Sequence, residues 1–275
     1  MPELPEVQTI CDSLQRQLSG LRIDKALQAG RLRQTVALPE LDAFCRGKSI
    51  SLVTRRAKYI LVHFTDRSGL ILHLGMTGCF IIDSDDGQPL KHERVSWLLS
   101  DGRRWRFCDA RGFGSLQLCP ESKDFDQHPS LAKLGIEPLS EAFAGQYLKS
   151  LCRQRETPIK ALIMDQAKVV GVGNIYASEA LFRCGISPKR QACRLTFRQC
   201  EQLAAAIKEV LLAAIAAGGS SIRDFHHIDG SEGHFKVQLR VYGRTGQPCP
   251  ECGSQIKRIV QSGRSSFFCP KCQRG

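Results

Sequence analysis

The stretch Cys249-Pro-Glu-Cys-Gly-Ser-Gln-Ile-Lys-Arg-Ile-Val-Gln-Ser-Gly-Arg-Ser-Ser-Phe-Phe-Cys-Pro-Lys-Cys272 is organised around two Cys-x-x-Cys knuckles. Sixteen residues separate Cys252 from Cys269. That spacing matches a tetrahedral site in which Cys249, Cys252, Cys269 and Cys272 hold one zinc ion. Four thiolates leave the metal no open position, so the zinc is structural rather than catalytic. A segment this short needs a metal where a larger one has a hydrophobic core. A redox pair, or four unrelated cysteines, is the competing reading.

The charge around the knuckles points to a partner. From Arg240 to Gly275 seven cations stand against Glu251 alone. This net +6 is half of the chain's +12, carried by 36 of its 275 residues. A polyanion fits such a distribution, because each neutralised phosphate releases condensed counterions. The other nine of the 13 cysteines are scattered and read as small buried apolar side chains. No apolar run approaches the ~20 residues of a membrane helix, so no membrane partner is expected. Carboxylates stand in Met-Pro-Glu-Leu-Pro-Glu-Val where a secretion signal would carry positive charge, which predicts a cytoplasmic protein.

Toward the N-terminus, Leu4, Val7, Ile10, Cys11, Leu14 and Leu18 form one helical stripe, with Gly20 as a stop. From about 21 to 118 the pattern is that of strands: 51–64, 70–82, 95–99 and 105–108, with Asp101-Gly102 as a hairpin signal. Short strands joined by turns predict a sandwich or barrel-like domain. Residues 120–155 carry Pro120, Pro129, Gly135 and Pro138 and read as a linker. Helices follow over 159–164, 177–182 and 195–217, the last stopped by Gly218-Gly219. Residues 218–236 read as a long surface loop.

Several residues suit chemistry. Loss of Met1 would expose Pro2 as a secondary amine, whose pKa near 8 leaves a useful unprotonated fraction to attack a carbonyl. Glu3 could shuttle protons beside it. Pro and Glu also simply suit a helix start. Gly171-Val-Gly173-Asn174-Ile-Tyr176 lacks the third glycine of a dinucleotide fingerprint. It either presents backbone N–H groups to a phosphate or is a tight interhelical turn. Met76, Arg111 and Phe113 sit where loop tips are expected and can enter a duplex, or belong to a core. Arg55-Arg56-Ala-Lys58 reads as a basic cluster inside a strand, with Arg56 and Lys58 on one face.

Taken in order, Pro2-Glu-Leu-Pro-Glu-Val, Arg55-Arg-Ala-Lys-Tyr, His73-Leu-Gly-Met-Thr-Gly, Val170-Gly-Val-Gly-Asn-Ile-Tyr-Ala-Ser-Glu, Val241-Tyr-Gly-Arg and the two knuckles resemble the formamidopyrimidine-DNA glycosylase family over essentially the whole chain. The resemblance implies an α+β multidomain fold: an N-terminal β-sandwich with flanking helices over 1–130, a linker and helix–two-turn–helix domain over 131–237, and a zinc-finger β-hairpin over 238–275. It implies a monomeric glycosylase and strand-cleaving lyase that removes oxidised purines from double-stranded DNA, and a bacterial protein at the nucleoid. Pro2, Glu3, Lys58 and Arg264 become the expected catalytic set. Glu6 supports Glu3, and Lys58, Asn174 and Arg264 hold phosphates. Met76, Arg111 and Phe113 fill the void left by the flipped base. His92 and Tyr242 join the expected DNA contacts, and the loop from about 219 to 236 is expected to close over the base.

One departure stands out. Gly112 occupies a place that a basic residue often takes in this family, and Ala110 one often taken by proline, so a looser void-filling loop is expected. Two alternatives remain. One is an endonuclease VIII-like enzyme for oxidised pyrimidines, disfavoured by Leu4 where glycine is usual. The other is a silent damaged-DNA-binding protein, disfavoured by the presence of Pro2, Glu3 and Lys58.

Overall fold

A computed structural model describes residues 2–28, 30–120, 125–219 and 239–274. The chain divides into two compact units, 1–132 with 218–235, and 133–217 with 236–275.

The first unit begins with α1 (Leu4–Leu18). Glu3 and Glu6 cap it reciprocally, with the Glu3 N–H donating to Glu6 Oε2 at 2.8 Å. The expected stripe is the buried one: Leu4, Val7, Ile10, Cys11, Leu14 and Leu18 are all in the core. Two antiparallel four-stranded sheets follow. One has the order β1 (Ile23–Gln28), β6 (Glu93–Leu99), β7 (Arg103–Asp109), β5 (Gly78–Ser84). The other runs β2 (Ile50–Arg56), β3 (Tyr59–Phe64), β4 (Gly69–His73), β8 (Ser115–Cys119). One apolar cluster spans both sheets and α1, from Val7 and Leu14 through Ile60, Leu72, Trp97, Trp105 and Phe107. This is the expected sandwich.

Alternation in β7 explains its two faces. Trp105 and Phe107 enter the core, while Arg104 and Arg106 project the other way and are nonetheless buried. Glu93 receives both, from Arg104 Nη2 at 2.6 Å and Arg106 Nη1 at 2.8 Å. Burial by itself would raise the Glu93 carboxyl. Hydrogen bonds from Ser96, the Leu90 N–H and Arg106 outweigh it and hold the group below its ordinary value.

Two expectations change. The strand-rich stretch contains an eight-residue helix, α2 (Leu38–Cys45), whose start is set by Pro39 in its first turn. The run 51–64 is not one strand: β2 and β3 form a hairpin whose two-residue turn is Ala57-Lys58. Lys58 therefore sits on a turn, not inside a strand. Ala57 takes φ +56, a left-handed conformation usually left to glycine or asparagine, so the turn carries no sequence signal.

The second unit holds α3 (Gly145–Cys152), α4 (Ile159–Ile163), α5 (Asn174–Arg183) and α6 (Phe197–Ala216). α3 lies inside the stretch read as linker. It is short and starts on a glycine, whose missing side chain lets α6 approach: a Cβ there would lie 2.3 Å from Glu201 Cγ. α6 opens on a Thr196–Gln199 capping box and stops before Gly218 and Gly219, both at positive φ. β9 (Lys257–Gln261) and β10 (Arg264–Phe268) form the hairpin between the knuckles. Of the nine scattered cysteines, six are buried and Cys79, Cys184 and Cys193 are half-buried. Among the described residues no helix is long and apolar enough to cross a membrane.

Candidate active site and nucleic-acid interface

In the first unit the capping box explains why Pro2-Glu-Leu-Pro-Glu reads as it does. Pro5 tolerates the first turn because its missing N–H has no partner there. Glu6 satisfies the Glu3 N–H, and Glu3 caps the helix in return. Pro2, Glu3 and Glu6 are all buried, so the amine position and two carboxylates share a low-dielectric corner. Gly219 closes against that corner: a Cβ there would lie 3.4 Å from Glu6 Cα. The remainder of the expected closing loop lies outside the described residues.

Lys58 is 7% exposed on its hairpin turn. Arg55 braces the turn, donating to Gln8 Oε1 of α1 and to the Ala57 carbonyl, both at 2.9 Å. Beside it stands His73, whose Nδ1 accepts the Gly75 N–H at 3.0 Å and whose ring packs on Tyr59 at 4.8 Å. Burial, then the charges of Lys58 and Arg33, push the His73 pKa down to about 4. The ring is neutral at physiological pH. Nothing in the residue order of His73-Leu-Gly-Met-Thr-Gly assigns this histidine a role.

Met76, Arg111 and Phe113 come together. Gly75 adopts φ +61 and a Cβ there would meet the Phe113 carbonyl carbon at 2.5 Å, so the two loops touch backbone to backbone. Met76 and Phe113 are 38% and 46% exposed, unusual for large apolar side chains, which removes the core reading for both. The Arg111 guanidinium lies over the Phe113 ring at 4.7 Å. Asp109, with no exposed surface, is the hub beneath them. Its Oδ1 accepts the Thr77 hydroxyl at 2.5 Å and the Arg111 N–H at 3.2 Å, and its Oδ2 accepts the Gly114 N–H at 2.7 Å. Arg94 clamps the carbonyls of Asp109 and Ala110 at 2.8 and 3.2 Å. Gly112 takes φ +67 between these anchors, a conformation glycine adopts without strain. His92, exposed and at φ +64, accepts the Asp109 N–H on its carbonyl at 2.9 Å.

In the second unit Gly171-Val-Gly-Asn is a turn opening a helix. Gln166 shapes it, accepting the Gly171 N–H at 2.8 Å and donating to the Val172 carbonyl at 3.1 Å. Asn174 begins α5 and donates to the Ser265 carbonyl at 2.9 Å. Its Oδ1 accepts Lys160 Nζ at 2.6 Å. Lys160, 2% exposed, also donates to Ser266 Oγ at 2.8 Å. A cavity of about 350 Å³ is bordered by Lys160, Asn174, Arg264 and Ser266. Arg264 is exposed at the hairpin tip. Lys160 escaped sequence reading because nothing in Pro158-Ile-Lys-Ala-Leu distinguishes it from a solvated helix lysine.

Glu179 was also missed. It accepts the backbone N–H groups of Arg240, Val241 and Tyr242 at 2.9, 3.0 and 2.8 Å, and so ties the start of the finger segment to α5. The Tyr242 ring then meets Phe267 at 4.8 Å.

The four cysteine sulfurs lie within 4.8 Å of one another. Cys249–Cys272 and Cys252–Cys269 are separated by 3.9 and 3.5 Å. A tetrahedron with Zn–S bonds of ~2.3 Å requires sulfurs about 3.8 Å apart, so the donor set fits one structural zinc ion.

Comparisons with known proteins agree along the chain. Residues 1–116 match the formamidopyrimidine-DNA glycosylase N-terminal domain and 134–226 its H2TH domain. Residues 246–275 match a zinc finger found in this family and in isoleucyl-tRNA synthetase. A formamidopyrimidine-DNA glycosylase of Thiobacillus denitrificans is 46% identical over 275 residues, covering both chains fully. The crystal structure of the MutM (Fpg) protein of Thermus thermophilus shares 39% identity with a TM-score of 0.86, over 99% of this chain and 98% of that one. Wild-type Lactococcus lactis Fpg, solved with DNA containing N7-benzyl-Fapy-dG, shares 31% identity with a TM-score of 0.89 over the whole of both chains. Matches of this extent, on a sandwich, a helical segment and a four-cysteine hairpin, leave one conclusion: the chain belongs to the formamidopyrimidine-DNA glycosylase family.

Proposed function

We propose the following division of labour for a DNA glycosylase and AP lyase that removes oxidised purines from duplex DNA. The Pro2 amine attacks C1′ of the damaged nucleotide. The glycosidic bond breaks, the base leaves with its electron pair and takes up a proton, and the amine nitrogen, now bonded to C1′, gives up its own proton; the C1′–O4′ bond then opens, O4′ takes up a proton, and nitrogen and C1′ remain joined as an iminium. Glu3 moves the protons at the sugar, and Glu6 holds Glu3 in place through the capping box. Loss of a C2′ proton expels the 3′ phosphate, and a second elimination expels the 5′ phosphate.

Lys58, Asn174 and Arg264 hold phosphates, with Tyr242 and His92 as further DNA contacts. Met76 and Phe113 fill the vacated stack. Arg111 reads the orphan base by donating to the acceptors of cytosine, which adenine's pairing-edge donor cannot match. Zinc, when bound, cross-links the finger and keeps Arg264 at the hairpin tip. The division 1–130, 131–237 and 238–275 and a cytoplasmic location at the nucleoid belong to the same reading.

The observation that carries the reading is the buried corner of Pro2, Glu3 and Glu6, which a helix start alone does not require. Borohydride reduction during reaction with 8-oxoguanine, formamidopyrimidine and oxidised-pyrimidine duplexes should trap a covalent adduct, most with the purines. Peptide mapping should place the link on Pro2. Attachment through a lysine would overturn the assignment.

A further inference from the structure

The zinc hairpin has two faces, and the DNA contacts proposed above do not use all of both. Directly paired residues point to the same side, so Arg264, Ser266 and Phe268 share a face with Gln261, Ile259 and Lys257. Phe267, against which Tyr242 packs, belongs to the opposite face. On the first face, toward the zinc end, lies an open basin of about 700 Å³. Its rim carries five cations: Lys189, Arg190 and Arg194 from the turn after α5, Lys257 from β9, and Arg274. Among the described residues no carboxylate lines it.

The cations are not neutralised among the described residues. Arg190 and Arg274 donate to the backbone carbonyls of Arg194 and Lys271, and Lys189 lies over the Phe268 ring. Elsewhere in this unit exposed arginines do find carboxylates, as Arg183 does with Glu209 and Arg240 with Glu251. Five like charges around one concavity repel one another and concentrate positive potential. A ligand with several negative charges relieves both effects.

The basin is separate from the tip cavity. Gln261, which borders the tip cavity, donates to the Pro188 carbonyl at 3.2 Å. That bond ties β9 to the turn after α5, and the two cavities share no lining residue. We propose that the basin is a second phosphate-binding site, which takes the backbone of a second DNA segment while the first is held at the hairpin tip. This rests on the reading of Arg264 as a phosphate contact. Its consequence is kinetic: an incoming segment engages before the bound one leaves, and dissociation becomes dependent on free DNA.

The test preforms a complex with a short labelled duplex carrying an abasic analogue, then adds unlabelled undamaged duplex. With non-specific Kd values of roughly 1–100 µM, dissociation should accelerate severalfold as competitor is raised through that range. The triple variant Lys189→Gln, Arg194→Gln, Lys257→Gln alters exposed side chains only. It should lose the acceleration and keep the wild-type rate at zero competitor and the wild-type single-turnover excision. Arg264→Ala should do the reverse, raising the rate at zero competitor while keeping the acceleration. Calorimetry with inorganic tripolyphosphate separates the sources. Binding by the wild type but not by the triple variant, without competitor dependence, would keep a phosphate site but assign it a free phosphate compound. A triple variant equal to the wild type in both assays would overturn the proposal.

Discussion

Replacing Asp109 by asparagine removes one acceptor from beneath the void-filling loops and almost nothing else. The side chain is fully buried and serves three donors: Thr77 and Arg111 on Oδ1, Gly114 on Oδ2. Asparagine keeps its oxygen toward the pair of donors and turns its NH₂ toward the Gly114 N–H. Donor then faces donor, and a charge-assisted bond is lost. The cost is about 2 kcal/mol. For a protein of this size that lowers the melting temperature by about 4–8 °C. The lost bond lies directly after Phe113, in the loop that also carries Arg111. If ordering of that loop is part of reaching the transition state, excision opposite cytosine slows by up to about 30-fold. The cytosine-over-adenine preference should shrink with it, as in Arg111→Ala. The assay is single-turnover excision of 8-oxoguanine opposite each base, beside lyase cleavage of a pre-formed abasic site, which should be spared. A variant that melts lower but keeps both the excision rate and the preference would refute the reasoning, because Asp109 would then act on stability alone.

Three further outcomes are expected. Arg264→Ala should weaken binding to damaged and undamaged duplexes alike and flatten the salt dependence by about one unit; an unchanged slope would make Arg264 an ordinary surface residue. Cys252→Ser should lower the zinc content below one per chain and weaken DNA binding together, and full metal content with full affinity would count against the four-cysteine site. His73 gives a pH signature. Its folded pKa, about 4, lies below the ordinary 6.5, so the unfolded chain takes up the proton first. Stability is unaffected above 6.5 and falls progressively as pH drops from 6.5 toward 4. Melting temperatures across that window should show less of the fall in His73→Gln, and an identical profile would place the titration elsewhere.

Much of this was legible from residue order. Periodicity located α1 and α6 within two residues, because each buries one continuous stripe and ends on glycine. Knuckle spacing specified the zinc donors, because four ligands to one ion must lie close along a hairpin. The eight-residue helices α2 and α3 were not legible: two turns give too few apolar repeats to separate helix from loop, and packing against larger elements decides them. The Ala57-Lys58 turn was hidden because an alanine holds a conformation that sequence rules assign to other residues.

The missed site residues share a different cause. Asp109 works through Thr77, 32 residues away, and through its own neighbours. Lys160 works through Asn174 and Ser266, 14 and 106 residues away. Glu179 acts on backbone 61 to 63 residues downstream. None of these touches a ligand in the proposed reaction, so no ligand chemistry marks it in the sequence. Each is a buried charge, and removing one from water is costly unless every partner is in place. Those partners are the groups the reaction needs fixed: the Arg111 and Phe113 loop, the Asn174 amide beside Arg264, and the backbone that leads to Tyr242. In the folded structure, a buried charge that bonds to the backbone or side chains of candidate contacts therefore identifies the supporting residues. The same argument separates them from Arg104, Arg106 and Glu93, an equally buried network that bonds to no candidate contact and serves the sheet alone.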